Sequence, residues 1–67
     1  MIQIYLNGET REVDGEIGLA DLLLRLTLPS KSIAVELNRN VVRRPDWEHT
    51  VVRDGDKIEV VHFVGGG

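Results

Sequence analysis

The sequence contains no cysteine, and only three of its 67 residues are aromatic. Without thiols the chain can form no disulfide, and it offers no thiolate to zinc or to an iron–sulfur cluster. Basic residues are also few: Lys and Arg number 8 against 11 Asp and Glu, which gives a formal net charge of −3. This acidic balance disfavours nucleic acid as the main partner.

Long apolar runs are scarce as well. The longest mainly apolar stretch, Leu19 to Leu28, includes Asp21 and Arg25 and is far shorter than the ~20 residues that a membrane span needs. Residues 1–4 include no basic region before an apolar run and so predict no secretory signal. We therefore expect a cytoplasmic protein with no membrane partner.

The small size of the chain limits what it can enclose. A chain of 67 residues accommodates one domain, and domains of about 60 residues bury only roughly 60% of the surface that the unfolded chain exposes. An enclosed cleft of ~300–1,000 Å³ is hard to build at this size. The length therefore argues against an enzyme with its own cleft.

Alternating apolar residues predict strands near both ends of the chain and in its middle. Residues 2–6, 33–37 and 58–64 alternate with the period of two that is typical of half-buried strands. Asn7-Gly8 is a strong hairpin signal, which makes the charged residues 9–13 an exposed return strand.

One segment has helical periodicity, because its leucines recur at positions i, i+3, i+4 and i+7. Gly18 is the predicted N-cap, with Asp21 three residues on as a weak variant of the capping box. Pro29 should end the helix because the residue before a proline avoids the α region. The leucines are Leu19, Leu22, Leu23 and Leu26.

The element order is β-β-α-β, then a short strand at Val41-Val42, a helical turn over residues 44–47 with Trp47 covering the core, and a last strand. Asp54-Gly55-Asp56 is the predicted tight turn before that strand. This order favours an α+β, β-grasp-like fold in which a mixed sheet of four to five strands packs one main helix on one face. The first and last strands should lie centrally and parallel.

Residues for conventional catalysis are scarce. The two histidines, His49 and His62, lack metal-site spacing, so we expect no metal site. Ser30 and Ser32 flank Lys31 and could form a nucleophile pair with it, but they are also typical turn residues. A small basic patch is typical of a solvated surface in an acidic chain. Its members are Arg39, Arg43 and Arg44.

The C-terminus carries more distinctive chemistry, because the last predicted strand runs directly into Gly65, Gly66 and Gly67. Three extended residues reach about 10 Å, and without Cβ atoms they can thread a narrow channel. They present a carboxylate on a thin arm, suited to insertion into another protein's active site. Adenylation by ATP would open that carboxylate to attack by sulfur or nitrogen. A flexible end without function is the simpler alternative.

Six short segments follow one another in a specific order and spacing. Each is a weak family signal by itself. They are Leu6-Asn7-Gly8, Asp21-Leu22-Leu23, Ala34-Val35-Glu36-Leu37-Asn38, residues 42–47, Asp54-Gly55-Asp56 and residues 58–67. Together they resemble the ubiquitin-like sulfur carrier family of thiamine biosynthesis (ThiS) over essentially the whole chain. Gly18, where the family often has Thr or Ser, departs from the pattern and leaves the exact helix boundary open.

The resemblance implies a β-grasp fold over residues 1–64, a flexible tail over residues 65–67, and a protein co-substrate rather than an enzyme. In such families an E1-like adenylating enzyme (ThiF type) activates the terminal glycine with ATP and Mg²⁺. Sulfur from a cysteine desulfurase then makes a thiocarboxylate, from which thiazole synthase (ThiG type) builds the thiazole ring. Gly67 would bear the thiocarboxylate, Gly65 and Gly66 would supply the arm, and the chain itself would bind no cofactor.

Residue alternation also predicts a docking surface beside the tail. If Ile4 and Ile58 face the helix, the odd-numbered residues of the same strands face away from it. Exposed apolar patches on small monomers often mark partner sites. The predicted docking residues are Tyr5, Val61 and Phe63, which this alternation places on the outward face, together with Val64 directly before the tail.

Other functions remain open at this point. The same tail chemistry would serve a sulfur carrier for molybdopterin, tRNA thiolation or cysteine synthesis. A ubiquitin-like protein modifier would link Gly67 to lysines of other proteins. A plain β-grasp interaction module would have an inert tail.

Overall fold

Residues 1–26 and 32–62 are described by a computed structural model of the chain. This part of the chain forms seven strands, one α-helix and one 3-10 helix. The strands are β1 (Ile2–Leu6), β2 (Glu9–Val13), β3 (Ile17–Gly18), β4 (Ile33–Leu37), β5 (Asn40–Val42), β6 (Val51–Val52) and β7 (Lys57–His62); the helices are α1 (Leu19–Arg25) and the 3-10 helix (Arg44–His49).

Five of these strands form one mixed sheet in the order β2-β1-β7-β4-β5. β1 and β2 form an antiparallel hairpin whose turn residues, Asn7 and Gly8, have φ angles of 49° and 82°, as the Asn-Gly pair predicts. β1 is parallel to β7, and β4 is antiparallel to both β7 and β5. The predicted parallel pairing of the first and last strands, with the last one central, is confirmed.

The helix packs its leucines against one face of this sheet. Leu19, Leu22 and Leu23 are buried, and Leu26 is partly buried against them. Inward residues of the sheet complete a single core, which confirms the predicted α+β arrangement with one helix on one face. The buried apolar residues are Ile4, Leu6, Leu19, Leu22, Leu23, Ile33, Val35, Trp47, Val52, Ile58 and Val60.

The start of α1 differs from the prediction. Gly18 is the N-cap, as expected, but no side chain caps the helix, so the capping role predicted for Asp21 is wrong. The N–H of Leu19 instead donates to the carbonyl of Thr50 at 2.8 Å. This contact exists because β3 pairs with β6 in a second, two-stranded sheet that the sequence did not predict. The helix ends at Arg25, and Pro29 lies outside the described residues.

Trp47 covers one end of the core from the 3-10 helix. Its side chain is buried, and its Nε1 donates to the carbonyl of Val42 at 2.9 Å. The guanidinium of Arg44 lies 5.5 Å from the ring centroid, a cation–π arrangement. Trp47 is therefore a core residue, as predicted, and one member of the basic patch stacks on it.

Candidate functional site

β7 leads toward the predicted tail, and the structure describes it as far as His62. Phe63, Val64 and residues 65–67 lie outside the described residues, so their predicted roles stay predictions. The division into a domain over residues 1–64 and a tail over residues 65–67 stays a prediction for the same reason. Tyr5 and Val61 are the two predicted docking residues that the structure places.

The sheet face opposite α1, here called the helix-free face, carries both of them. Val61 is 55% exposed and lies opposite Ala34, whereas Tyr5 is half-buried and lies opposite Lys57. Val61 lies four positions beyond Lys57 on β7, a distance of about 13 Å along a strand. The structure therefore puts Tyr5 and Val61 on one face, as predicted, but does not bring them into contact.

Two glutamates occupy the centre of the helix-free face. Glu36 on β4 and Glu59 on β7 are direct cross-strand neighbours, and like charges in that arrangement destabilise a sheet. The ion pairs found among residues 1–26 and 32–62 involve other glutamates. Sequence reasoning missed this pair because the period of two gives the face of each residue but not the register between strands.

Replacing one of these carboxylates by its neutral isostere should stabilise the fold. We expect Glu59→Gln to raise the free energy of unfolding by roughly 0.2–1 kcal/mol. Glu12→Gln is the matched control, because Glu12 is exposed on the same face but lies opposite Gln3. Urea denaturation of both variants measures the difference. Equal stabilities would show that the repulsion is negligible.

A shallow depression of about 570 Å³ lies on the same side of the molecule, where β1 ends beside β7. It offers a contact surface rather than a closed cleft. Asn7 and Gly8, predicted only as turn residues, belong to it. The residues that line it are Tyr5, Asn7, Gly8, Lys57, Ile58 and Glu59.

The other candidate groups are not assembled into a site. His49 is exposed on the 3-10 helix and His62 is exposed on β7. Within the described ranges, no three His, Asp or Glu side chains are grouped so as to hold a metal ion. Ser30 and Lys31 lie outside those ranges. Neither helix of the described chain has the length and apolarity to cross a membrane.

A mixed five-stranded sheet with a parallel central pair and one helix on one face defines a β-grasp protein. The solved ThiS thiamine biosynthesis protein from Geobacter metallireducens superimposes on this chain with a TM-score of 0.87 and 35% identity, over 98% of this chain and 100% of that one. The ThiS family model matches residues 4–67. The chain belongs to the ThiS family.

Two further relatives are similar to nearly the whole of this chain, but they differ in length. The sulfur carrier protein ThiS of Bacillus subtilis is 35% identical over 65 residues, which cover 96% of this chain and 98% of that protein. A thiazole synthase of Magnetococcus marinus is 41% identical over 66 residues, or 98% of this chain. The chain spans only 20% of the length of that thiazole synthase.

Proposed function

We propose that this protein is a sulfur carrier of thiamine biosynthesis and acts as a co-substrate rather than as an enzyme. The observation that carries the proposal is the family match, which runs through the terminal glycine at position 67. The Bacillus relative of nearly the same length is named a sulfur carrier. A cytoplasmic location fits this role.

The proposed chemistry takes place at the carboxylate of Gly67. An E1-like enzyme of the ThiF type transfers AMP from ATP to that carboxylate with the help of Mg²⁺ and releases pyrophosphate. A cysteine desulfurase draws sulfur from cysteine as an enzyme-bound persulfide, whose outer sulfur attacks the acyl adenylate and releases AMP. A second thiol then cleaves the resulting acyl disulfide by thiol–disulfide exchange, which leaves a thiocarboxylate on Gly67 and a disulfide on the thiol partners. A chain without cysteine has no thiol to hold sulfur, so the terminal carboxyl group is a fitting place for it.

Thiazole synthase is the proposed recipient of the sulfur. The thiazole synthase of Magnetococcus marinus contains a stretch similar to 98% of this chain. Joining a carrier and its recipient in one polypeptide raises the effective concentration of one at the other. This relative therefore supports a ThiG-type partner over a recipient in the molybdopterin, tRNA or cysteine pathways.

The helix-free face is the proposed docking surface for these enzymes. Val61 exposes an apolar side chain there, close to where the chain continues toward Phe63 and Val64. Tyr5 and the depression beside it extend the surface toward the far end of β7. A partner that holds this face would lie beside the described end of β7, five residues before Gly67 in the sequence.

Intact mass spectrometry tests the proposed chemistry. Incubation of the full chain with ATP, Mg²⁺, a ThiF-type enzyme, a cysteine desulfurase, cysteine and a thiol reductant should replace one terminal oxygen by sulfur. A control variant with one alanine added after Gly67 should keep its mass, because the activated carboxylate would then sit on a residue with a Cβ and one position too far out.

Two results would contradict the proposal. One is an unmodified mass for the wild-type chain with enzymes that are active on another carrier. The other is a conjugate through lysine side chains, which would identify a protein modifier. Rescue of a thiamine-requiring strain that lacks its own carrier tests the recipient, and growth only on added thiamine would exclude the thiamine pathway.

A further inference from the structure

We propose that Asn7 is a positioning residue whose side-chain amide holds the second half of β7, as far as His62, in the sheet, so that a partner enzyme meets this end of the strand already ordered. The consequence for sulfur transfer rests on the proposed function. The structural part concerns hydrogen bonds within the described chain and can be tested separately.

β1 is too short to cover β7. The parallel pairing joins Tyr5 to Lys57 and Leu6 to Ile58, and the N–H of Asn7 then donates to the carbonyl of Ile58 at 2.9 Å. At Gly8 the chain turns away into β2. β7 continues beyond that point toward the tail without a further β1 residue beside it.

The amide of Asn7 takes the place of the missing strand residue. The N–H of Val60 donates to Oδ1 of Asn7 at 2.8 Å, and Nδ2 of Asn7 donates to the carbonyl of Val60 at 3.3 Å. Both bonds are partly buried. One side chain therefore satisfies both backbone groups of Val60, which lie only two residues before His62.

Few residue types could fill this position. The φ angle of Asn7 is 49°, a left-handed conformation that Gly, Asn and Asp adopt most readily. Of these three, only Asn supplies both a donor and an acceptor. Asp keeps the acceptor for the N–H of Val60 but lacks a donor for its carbonyl, and Gly lacks both.

Asn38 is a natural matched control. Its φ angle is 52°, it also lies in a turn, and its Oδ1 accepts a hydrogen bond from the N–H of Lys57 at 3.0 Å. Lys57 is the first residue of β7, so this bond holds the end of the strand farthest from the tail. Asn7→Gly and Asn38→Gly thus remove the same type of side chain from opposite ends of one strand.

The experiment measures both variants as substrates of a ThiF-type enzyme, by pyrophosphate release with ATP and Mg²⁺. We expect Asn7→Gly to raise KM by about 5- to 30-fold, the range expected for the loss of one to two hydrogen bonds of average net strength, with kcat unchanged. A loosened strand must be ordered again on docking, which weakens binding uniformly. Asn38→Gly should leave KM within twofold, although it also removes a side chain that bonds to the backbone of β7.

Amide hydrogen exchange supplies the readout that does not depend on the enzyme. In Asn7→Gly the exchange rate of the Val60 N–H should rise. The rise should be about fivefold larger than the increase that the lower global stability of the variant causes by itself. Asn7→Asp should give a smaller effect at Val60, and it decides the question if Asn7→Gly fails to fold.

Unchanged exchange at Val60, or the same KM for the Asn7 and Asn38 variants, would overturn the inference while leaving the proposed function intact. A wild-type chain that releases no pyrophosphate would instead overturn the proposed function.

Discussion

Leu22→Ala should remove a large share of the free energy of unfolding, whereas Leu24→Ala should leave it nearly unchanged. Leu22 is 2% exposed and Leu24 is 72% exposed on the same helix. Truncating a buried leucine to alanine costs about 2–5 kcal/mol. At typical stabilities per residue, a 67-residue domain has only about 3–10 kcal/mol in total.

The comparison of these two variants measures how much the burial of Leu22 contributes to the free energy of unfolding. Both replace leucine by alanine in α1, so the change in helix propensity is the same, and it slightly favours the variants. Urea denaturation followed by circular dichroism should place Leu24→Ala within about 0.5 kcal/mol of the wild type. Equal losses in the two variants would mean that α1 does not pack on the sheet through Leu22.

Val61→Asp should raise the KM of the chain for a ThiF-type enzyme by about 30-fold, the effect of losing an interface residue worth ~2 kcal/mol. Val61 offers exposed apolar surface beside Ala34 on the helix-free face. An aspartate there would remove that contact and would place a charge that the partner must desolvate. Pyrophosphate release at varied concentrations of the chain measures the effect.

Val51→Asp is the control for this prediction. Val51 is 39% exposed and lies on β6, in the separate two-stranded sheet. The substitution causes the same loss of β propensity away from the helix-free face, so its KM should stay close to that of the wild type. If both variants raise KM equally while remaining folded, the helix-free face is not the docking surface.

Local patterns predicted the main elements because each carries its own signal. Asn7-Gly8 predicts a turn with two positive φ angles, the leucines predict the buried face of α1, and alternation predicts which residues of β7 face inward. Trp47 was predicted to cover the core because so small a chain has few large apolar groups. The first three depend on neighbours in sequence and the fourth on the composition of the chain, and the structure confirms all four.

The features that sequence reasoning missed depend on contacts between distant segments. β3 and β6 have two residues each, which is too few for a periodic pattern. Each is a strand only because it pairs with the other. The opposition of Glu36 and Glu59 depends on the register between β4 and β7. Asn7 was predicted to form a turn. Its hydrogen bonds to the backbone of Val60 depend in addition on the parallel pairing of β1 with β7.

The central position of β7 has a consequence for biosynthesis. β7 is the middle strand of the sheet although it is the last described element of the chain. A nascent chain that ends before Lys57 leaves β1 and β4 with open edges, and such edges favour aggregation. The sheet can close only after translation has passed His62, the last residue of β7. A partner that binds the helix-free face, as proposed above, would therefore not bind incomplete chains that end before β7.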